Sequence, residues 1–150
     1  MAEGAAAVPG RGRRLGIDVG SVRVGVALCD PDGLLATPLV TVPRDVEGGT
    51  DVRAIADLVA EHEVVQIVVG LPRTLAGREG PAAEAARAFV DGLAGVVGVP
   101  IVLSDERLTT VVATQQMRAS GRKGRRQRAV VDQAAAVAIL QGWLDSGRSR

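Results

Sequence analysis

The sequence predicts an α/β domain: a mixed five-stranded sheet, three antiparallel strands followed by two parallel ones, with helices on both faces. Three observations lead there. Strand-like apolar segments open the chain in quick succession at "RLGIDVG", "VRVGVALCD" and "LLATPLVTV", and short connections between such segments make an antiparallel meander. Two later segments, "VVQIVVGLP" and "VPIVLSDE", are each preceded by a helical stretch, the spacing that a parallel crossover requires. Hydrophobic residues make up 47 % of the chain and aromatics 1 %, the Val-rich composition of a sheet covered on both sides.

Each element has its own signal. "DPDG" at Asp30–Gly33 suits a type I turn between the second and third strands. From Asp51 to Glu63, apolar residues at Val52, Ile55, Ala56, Leu58 and Val59 follow a helical period. Pro81 opens an Ala-rich helix, "PAAEAARAFVDGLAGVVG". Thr109 is placed to cap a helix over "TTVVATQQMRAS" that Gly121 ends. "RAVVDQAAAVAILQGWLDSG" is the last helix. Residues 1–13 read as a disordered tail, 14–145 as one domain, and 146–150 as a C-terminal tail. Two places read as mobile loops: Pro72 to Gly80, "PRTLAGREG", and a basic loop before the last helix.

Net charge is only +1, but its distribution is uneven. Arg118, Arg122, Lys123, Arg125, Arg126 and Arg128 form a run with no acid in it. Such a run is either a solvated loop or a patch that contacts phosphates. The scarcity of aromatics argues against recognition by base stacking. Phe89 and Trp143 fall in helical patterns and read as packing residues. Cys29 is the one cysteine, which leaves no thiolate zinc cage and suits a reducing cytosol. No stretch approaches the roughly 18 apolar residues of a membrane span, and the start carries no secretion signal, so a cytoplasmic protein is expected.

Three acids interrupt apolar segments: Asp18 in the first strand, Glu106 just past the fifth, and Asp132 in the first turn of the last helix. Each has a plain alternative. Asp18 can accept bonds from turn amides, Asp105 or Glu106 can pair with an Arg such as Arg107, and Asp132 can complement a helix dipole. If the first and fifth strands are close and the last helix crosses them, the three converge. Converging carboxylates repel unless a cation lies between them, and hard oxygen donors select Mg²⁺ or Mn²⁺. Two such ions can drive phosphodiester hydrolysis without a His or Cys nucleophile.

"GIDVGSVRVGVALCD", "IVVGLPRTLAGREGPAAEAARAF", "DERLTT" and "VVDQAAAVAILQGWL" together resemble the YqgF (RuvX-type) family, from about Arg14 to Leu144. That family comprises RNase H-like proteins described as Holliday-junction resolvases and as pre-16S rRNA nucleases. The resemblance implies an RNase H-like fold and a metal-dependent phosphodiesterase site. Asp18 would be the central ligand and Glu106 and Asp132 would complete the site, with Asp105 as the alternative to Glu106. It also implies a nucleic-acid partner, either precursor rRNA within a pre-ribosomal particle or branched DNA, and a monomer or homodimer. Arg73 and Arg78 in the loop, Arg107 beside the acids, and Arg122, Lys123, Arg125 and Arg126 in the basic run are the candidate phosphate contacts. Two positions depart from the junction-resolvase branch. "GLPR" ends the fourth strand without an acid, and Ala129 and Ala135 stand three residues either side of Asp132.

Two other classes compete. "DVGSVRVGVAL" also fits the phosphate-binding hairpin of actin-like ATPases and sugar kinases, which enclose nucleotide between two domains where 150 residues accommodate one. A binding module that holds structured RNA without cutting it would use the same basic run and need no metal.

Overall fold

Five strands form one sheet in the order β3-β2-β1-β4-β5. The computed structural model describes residues 10–74, 76–107 and 125–148. β1 (Arg13–Val19), β2 (Arg23–Cys29) and β3 (Ala36–Pro43) are successive antiparallel strands. α1 (Thr50–Glu61) leads into β4 (Val64–Arg73), which pairs parallel with β1. α2 (Pro81–Ala94) leads into β5 (Ile101–Arg107), parallel to β4, and α3 (Arg125–Arg148) is the last element.

Alternation along the strands divides the core in two. Leu15, Ile17, Val24, Val26, Ile67 and Val69 point to one face, where they pack with Ile55, Phe89 and Leu93 of α1 and α2. Ala27, Cys29 and Val68 point to the other, against Ala136, Ile139, Leu140 and Leu144 of α3. This second face is built of small residues, and α3 therefore lies close to the sheet. A Cβ on Gly16 would come within 2.5 Å of the Leu140 Cβ and 2.9 Å of the Ala136 carbonyl oxygen. Helices do cover both faces, as the composition predicts. α3 also covers the edge of β3: the Gln141 side chain accepts from the Ala36 amide (2.9 Å) and donates to the Leu34 carbonyl (3.0 Å).

Several boundaries differ from those the sequence suggests. Arg13 already belongs to β1, and Gly12 donates to the Pro31 carbonyl at 2.8 Å. The Arg14 guanidinium, laid over the Trp143 ring, bonds the carbonyls of Gly10 and Gly12. So residues 10–13 of the expected tail are held by the fold; residues 1–9 lie outside the described residues. α3 reaches Arg148, so 146–148 continue the helix rather than forming a tail. It also starts at Arg125, which places Arg125, Arg126 and Arg128 in helix rather than loop and puts Asp132 about two turns in, beyond the first turn. Pro72 and Arg73 belong to β4, not to the loop. β1 ends before reaching Pro72, so the missing N–H costs no ladder bond there. The helix expected over "TTVVATQQMRAS" lies outside the described residues, as do Arg122 and Lys123.

Candidate functional site

The site is organised around Asp18 near the end of β1. Its register partner on β2 is Gly25. On the other side β4 runs in register from Ile17 opposite Val69, so the next β4 residue alongside Asp18 is Gly70. Both neighbours lack side chains, and other groups fill the space each leaves. A Cβ on Gly25 would fall on the Asp132 carbonyl, 2.5 Å from its carbon. A Cβ on Gly70 would lie 2.5 Å from the Ile139 Cδ1 and 3.4 Å from the Glu106 Cγ. Asp132 and Glu106 therefore approach Asp18 from either side over bare backbone. Gly20 has a third role: its amide donates to the Arg23 carbonyl at 2.9 Å, and a Cβ there would meet that oxygen at 2.6 Å.

Register also separates Glu106 from Asp105. Gly70 pairs with Ser104 and Leu71 with Asp105, so Ser104 and Glu106 share Asp18's face while Asp105 lies on the face of Leu71. The Ser104 hydroxyl donates to the Glu106 Oε2 at 3.0 Å, which folds the longer carboxylate back along the strand over Gly70. Asp105 instead pairs with Arg73 at 3.6 Å.

Asp18 and Glu106 are half-buried and Asp132 is buried, so Asp18 is less enclosed than its apolar flanks suggest. The Asp132 Oδ2 accepts from the Arg23 Nε at 2.8 Å, an ion pair in which the Asp132 side chain is 5 % exposed and that of Arg23 25 %. Its neighbour Gln133 donates to the Thr41 hydroxyl at 2.9 Å. Among the described residues, no three His, Cys, Asp or Glu side chains gather closely enough to cage a metal ion. The acids share one face, and the oxygen donors of Asp18 and Glu106 fit a hard divalent cation, but the third carboxylate is held by Arg23.

A family model described as "RuvX: Holliday junction resolvase" matches residues 12–146. The chain belongs to the RuvX family. Among its relatives are proteins named "Putative pre-16S rRNA nuclease". That of Nocardia farcinica is 62 % identical over 143 residues, covering 91 % of this chain and 79 % of the relative. That of Rhodococcus jostii is 60 % identical over 146 residues, covering 95 % and 82 %. The structure of T. thermophilus RuvC in complex with Holliday junction substrate is similar in fold, with a TM-score of 0.52 at 13 % identity over 91 % of this chain and 95 % of that one. The fold is RNase H-like, as the resemblance in the sequence implies.

The cations of this RuvX chain are placed unevenly around the acids. Arg73 lies on the α2 face, between Asp105 and Glu79, whose carboxylate it bonds at 3.1 Å. Arg87 grips the same carboxylate with bonds of 2.8 and 2.7 Å. These two guanidiniums, Arg87 foremost, hold Glu79 down to about 2. Arg78 is exposed, in a turn where its amide bonds the Thr74 hydroxyl. Arg107 ends β5 and Arg125 and Arg126 begin α3. His62 ends α1, half-buried and away from the acids.

Arg23 and Ser104 are the residues that reading the acids alone misses. Both carried a signal. Arg23 falls two residues before Gly25, and Ser104 two before Glu106, so strand alternation puts each on the face of the acid it serves.

Proposed function

We propose that this RuvX-family protein is a hydrolase that cuts phosphodiester bonds within nucleic acid, and that its substrate is the 5′ end of precursor 16S rRNA. The observation that carries this reading is the face of the sheet where Asp18, Glu106 and Asp132 rise around Gly25 and Gly70. The names of its relatives support the choice of rRNA.

Asp18 and Glu106 would hold Mg²⁺ or Mn²⁺, with Asp132 as the third acid of the group. When bound, the cation would make attacking water more acidic and offset charge on the departing 3′ oxygen. The chain's own contribution is position. The Ser104 hydroxyl fixes the Glu106 carboxylate, Arg23 carries the charge of Asp132, and bare Gly70 leaves room for a phosphate to come close. Arg78, Arg107, Arg122, Lys123, Arg125 and Arg126 are the proposed phosphate contacts, and Arg73 joins them if substrate draws it from Glu79. No described helix is long and apolar enough to cross a membrane; the proposed setting is a cytoplasmic pre-ribosomal particle, with the protein acting as a monomer or a homodimer. Resolution of branched DNA is the second reading, favoured by the description of the family.

The test is cleavage of labelled precursor 16S rRNA and of a synthetic four-way junction by wild type and Asp18→Asn, with Mg²⁺, Mn²⁺ or chelator. Metal-dependent cutting of the rRNA that Asp18→Asn abolishes is the expected result, and preference for the junction would transfer the function to DNA. Binding without cutting, unchanged in the variant, would make the protein a structured-RNA-binding module.

A further inference from the structure

The turn that joins β1 to β2 stands between two residues of the site, Asp18 and Arg23, and a buried arginine ties it down. Ser21 and Val22 at its tip are exposed, so packing does little to hold it. Arg44, just past the end of β3, bonds it twice. The Arg44 amide donates to the Val22 carbonyl at 2.9 Å, and the Arg44 Nη1 donates to the Gly20 carbonyl at 2.9 Å. The same guanidinium lies against the Phe89 ring of α2 and 3.3 Å from the Asp51 carboxylate of α1. Its Nε, the atom that faces Asp51, makes no hydrogen bond. Asp51 therefore balances the charge of Arg44, whereas the Gly20 carbonyl sets the direction of its guanidinium. For stability alone, an apolar pair of similar volume serves as well as a buried ion pair. A fixed Gly20 carbonyl is what such a pair would not supply.

We propose that Arg44 is a positioning residue of the acid site. By holding the Gly20 carbonyl it fixes the turn from which Asp18 and Arg23 depart, and so sets the affinity for a divalent cation that it does not touch. The inference rests on the metal-dependent nuclease reading and names a residue, anchored among α1 and α2, on which that site depends.

Mn²⁺ affinity, read from electron paramagnetic resonance of the free ion, and urea denaturation together separate positioning from stability. Arg44→Met/Asp51→Leu strands no buried charge, so its urea midpoint should stay near that of wild type. It lacks the bond to Gly20, and should bind Mn²⁺ at least about tenfold more weakly. Without metal, its Gly20 amide, which donates to the Arg23 carbonyl across the turn, should exchange hydrogen faster than in wild type. Asp51→Asn does the reverse: it leaves the Gly20 bond in place and the guanidinium unbalanced. Its midpoint should fall, while its Mn²⁺ affinity stays within about threefold of wild type. If the apolar pair fails to fold, Arg44→Met/Asp51→Asn makes the same comparison, because it keeps an acceptor for the Asp45 amide. The proposal is overturned if the folded double variant binds Mn²⁺ as wild type does, or if its Gly20 amide exchanges no faster. It is overturned too if Asp51→Asn loses as much affinity as the double variant, since affinity would then follow stability. Wild type that takes up no Mn²⁺ overturns both this inference and the metal dependence beneath it. The expected order of affinities, in a protein that cuts neither substrate, would remove the nuclease reading alone.

Discussion

Gly25 carries Asp132 on its bare Cα: the helix carbonyl occupies the place a side chain would take. Backbone cannot rotate away as a side chain can, so Gly25→Ala must push α3 off the sheet. The expected cost is about 3 kcal/mol, at the upper end for overpacking, read from urea denaturation. At Gly70 the atom in the way is the Ile139 Cδ1, the end of a flexible chain, and Gly70→Ala should cost about 1 kcal/mol. The reverse order would show that α3 is not seated as described.

Ser104→Ala removes the bond that folds Glu106 over Gly70. In the proposed metal site, a hydroxyl that orients the Glu106 carboxylate contributes to affinity more than to stability. Mn²⁺ should bind about 10–100-fold more weakly, while unfolding free energy changes by about 1 kcal/mol. Titration and denaturation of the same preparation separate the two effects.

Glu79 gives a pH dependence of defined sign. Its two arginine partners hold the folded carboxyl at about 2, below the ordinary glutamate value of about 4.3. The folded chain therefore refuses a proton that the unfolded chain accepts. The stabilisation is full above the ordinary value and is lost as pH falls through that interval. Comparing wild type with Glu79→Gln across acid pH should show a difference that closes toward about pH 2, and added salt should reduce it because the group is open to solvent.

Asp51 and Arg44 form a second buried ion pair, 3.3 Å apart. Arg44 also donates to the Gly20 carbonyl at 2.9 Å and lies against the Phe89 ring. Asp51→Ala strands a buried guanidinium and should cost about 3 kcal/mol. Replacing both, as Arg44→Met with Asp51→Leu, should recover most of that loss in the same denaturation assay.

The succession of strands and helices and the covering of both faces were legible because alternation and helical period are local patterns. Which of Asp105 and Glu106 shares the face of Asp18 was not, since one residue of register exchanges the faces of a strand, and only the pairing of Gly70 with Ser104 puts Glu106 on that face. The partnership of Arg23 with Asp132 spans 109 residues and leaves no mark in either segment. The start of α3 was read late because a run of arginines looks like a loop by charge, although Arg and Gln are good helix formers. Gly20, Gly25 and Gly70 each have a neighbour packed where a side chain would stand, an arrangement that for Gly25 and Gly70 is set by elements distant in the chain. The three acids stood out by interrupting apolar segments and share one face of the sheet; the cation that already answers one of them was not legible.

Cys29 lies in β2 beneath α3, 2 % exposed, with the Arg14 amide directed at its sulfur. Burial pushes its thiol above the ordinary range. The chain has no other cysteine, so a thiol reagent has a single target, shut away on the side of the sheet that carries the acids. Alkylation then works as a clock with one hand: it should advance as the structure around Cys29 opens, and slow under conditions that hold that structure closed. The same seclusion denies two folded copies a disulfide through this residue.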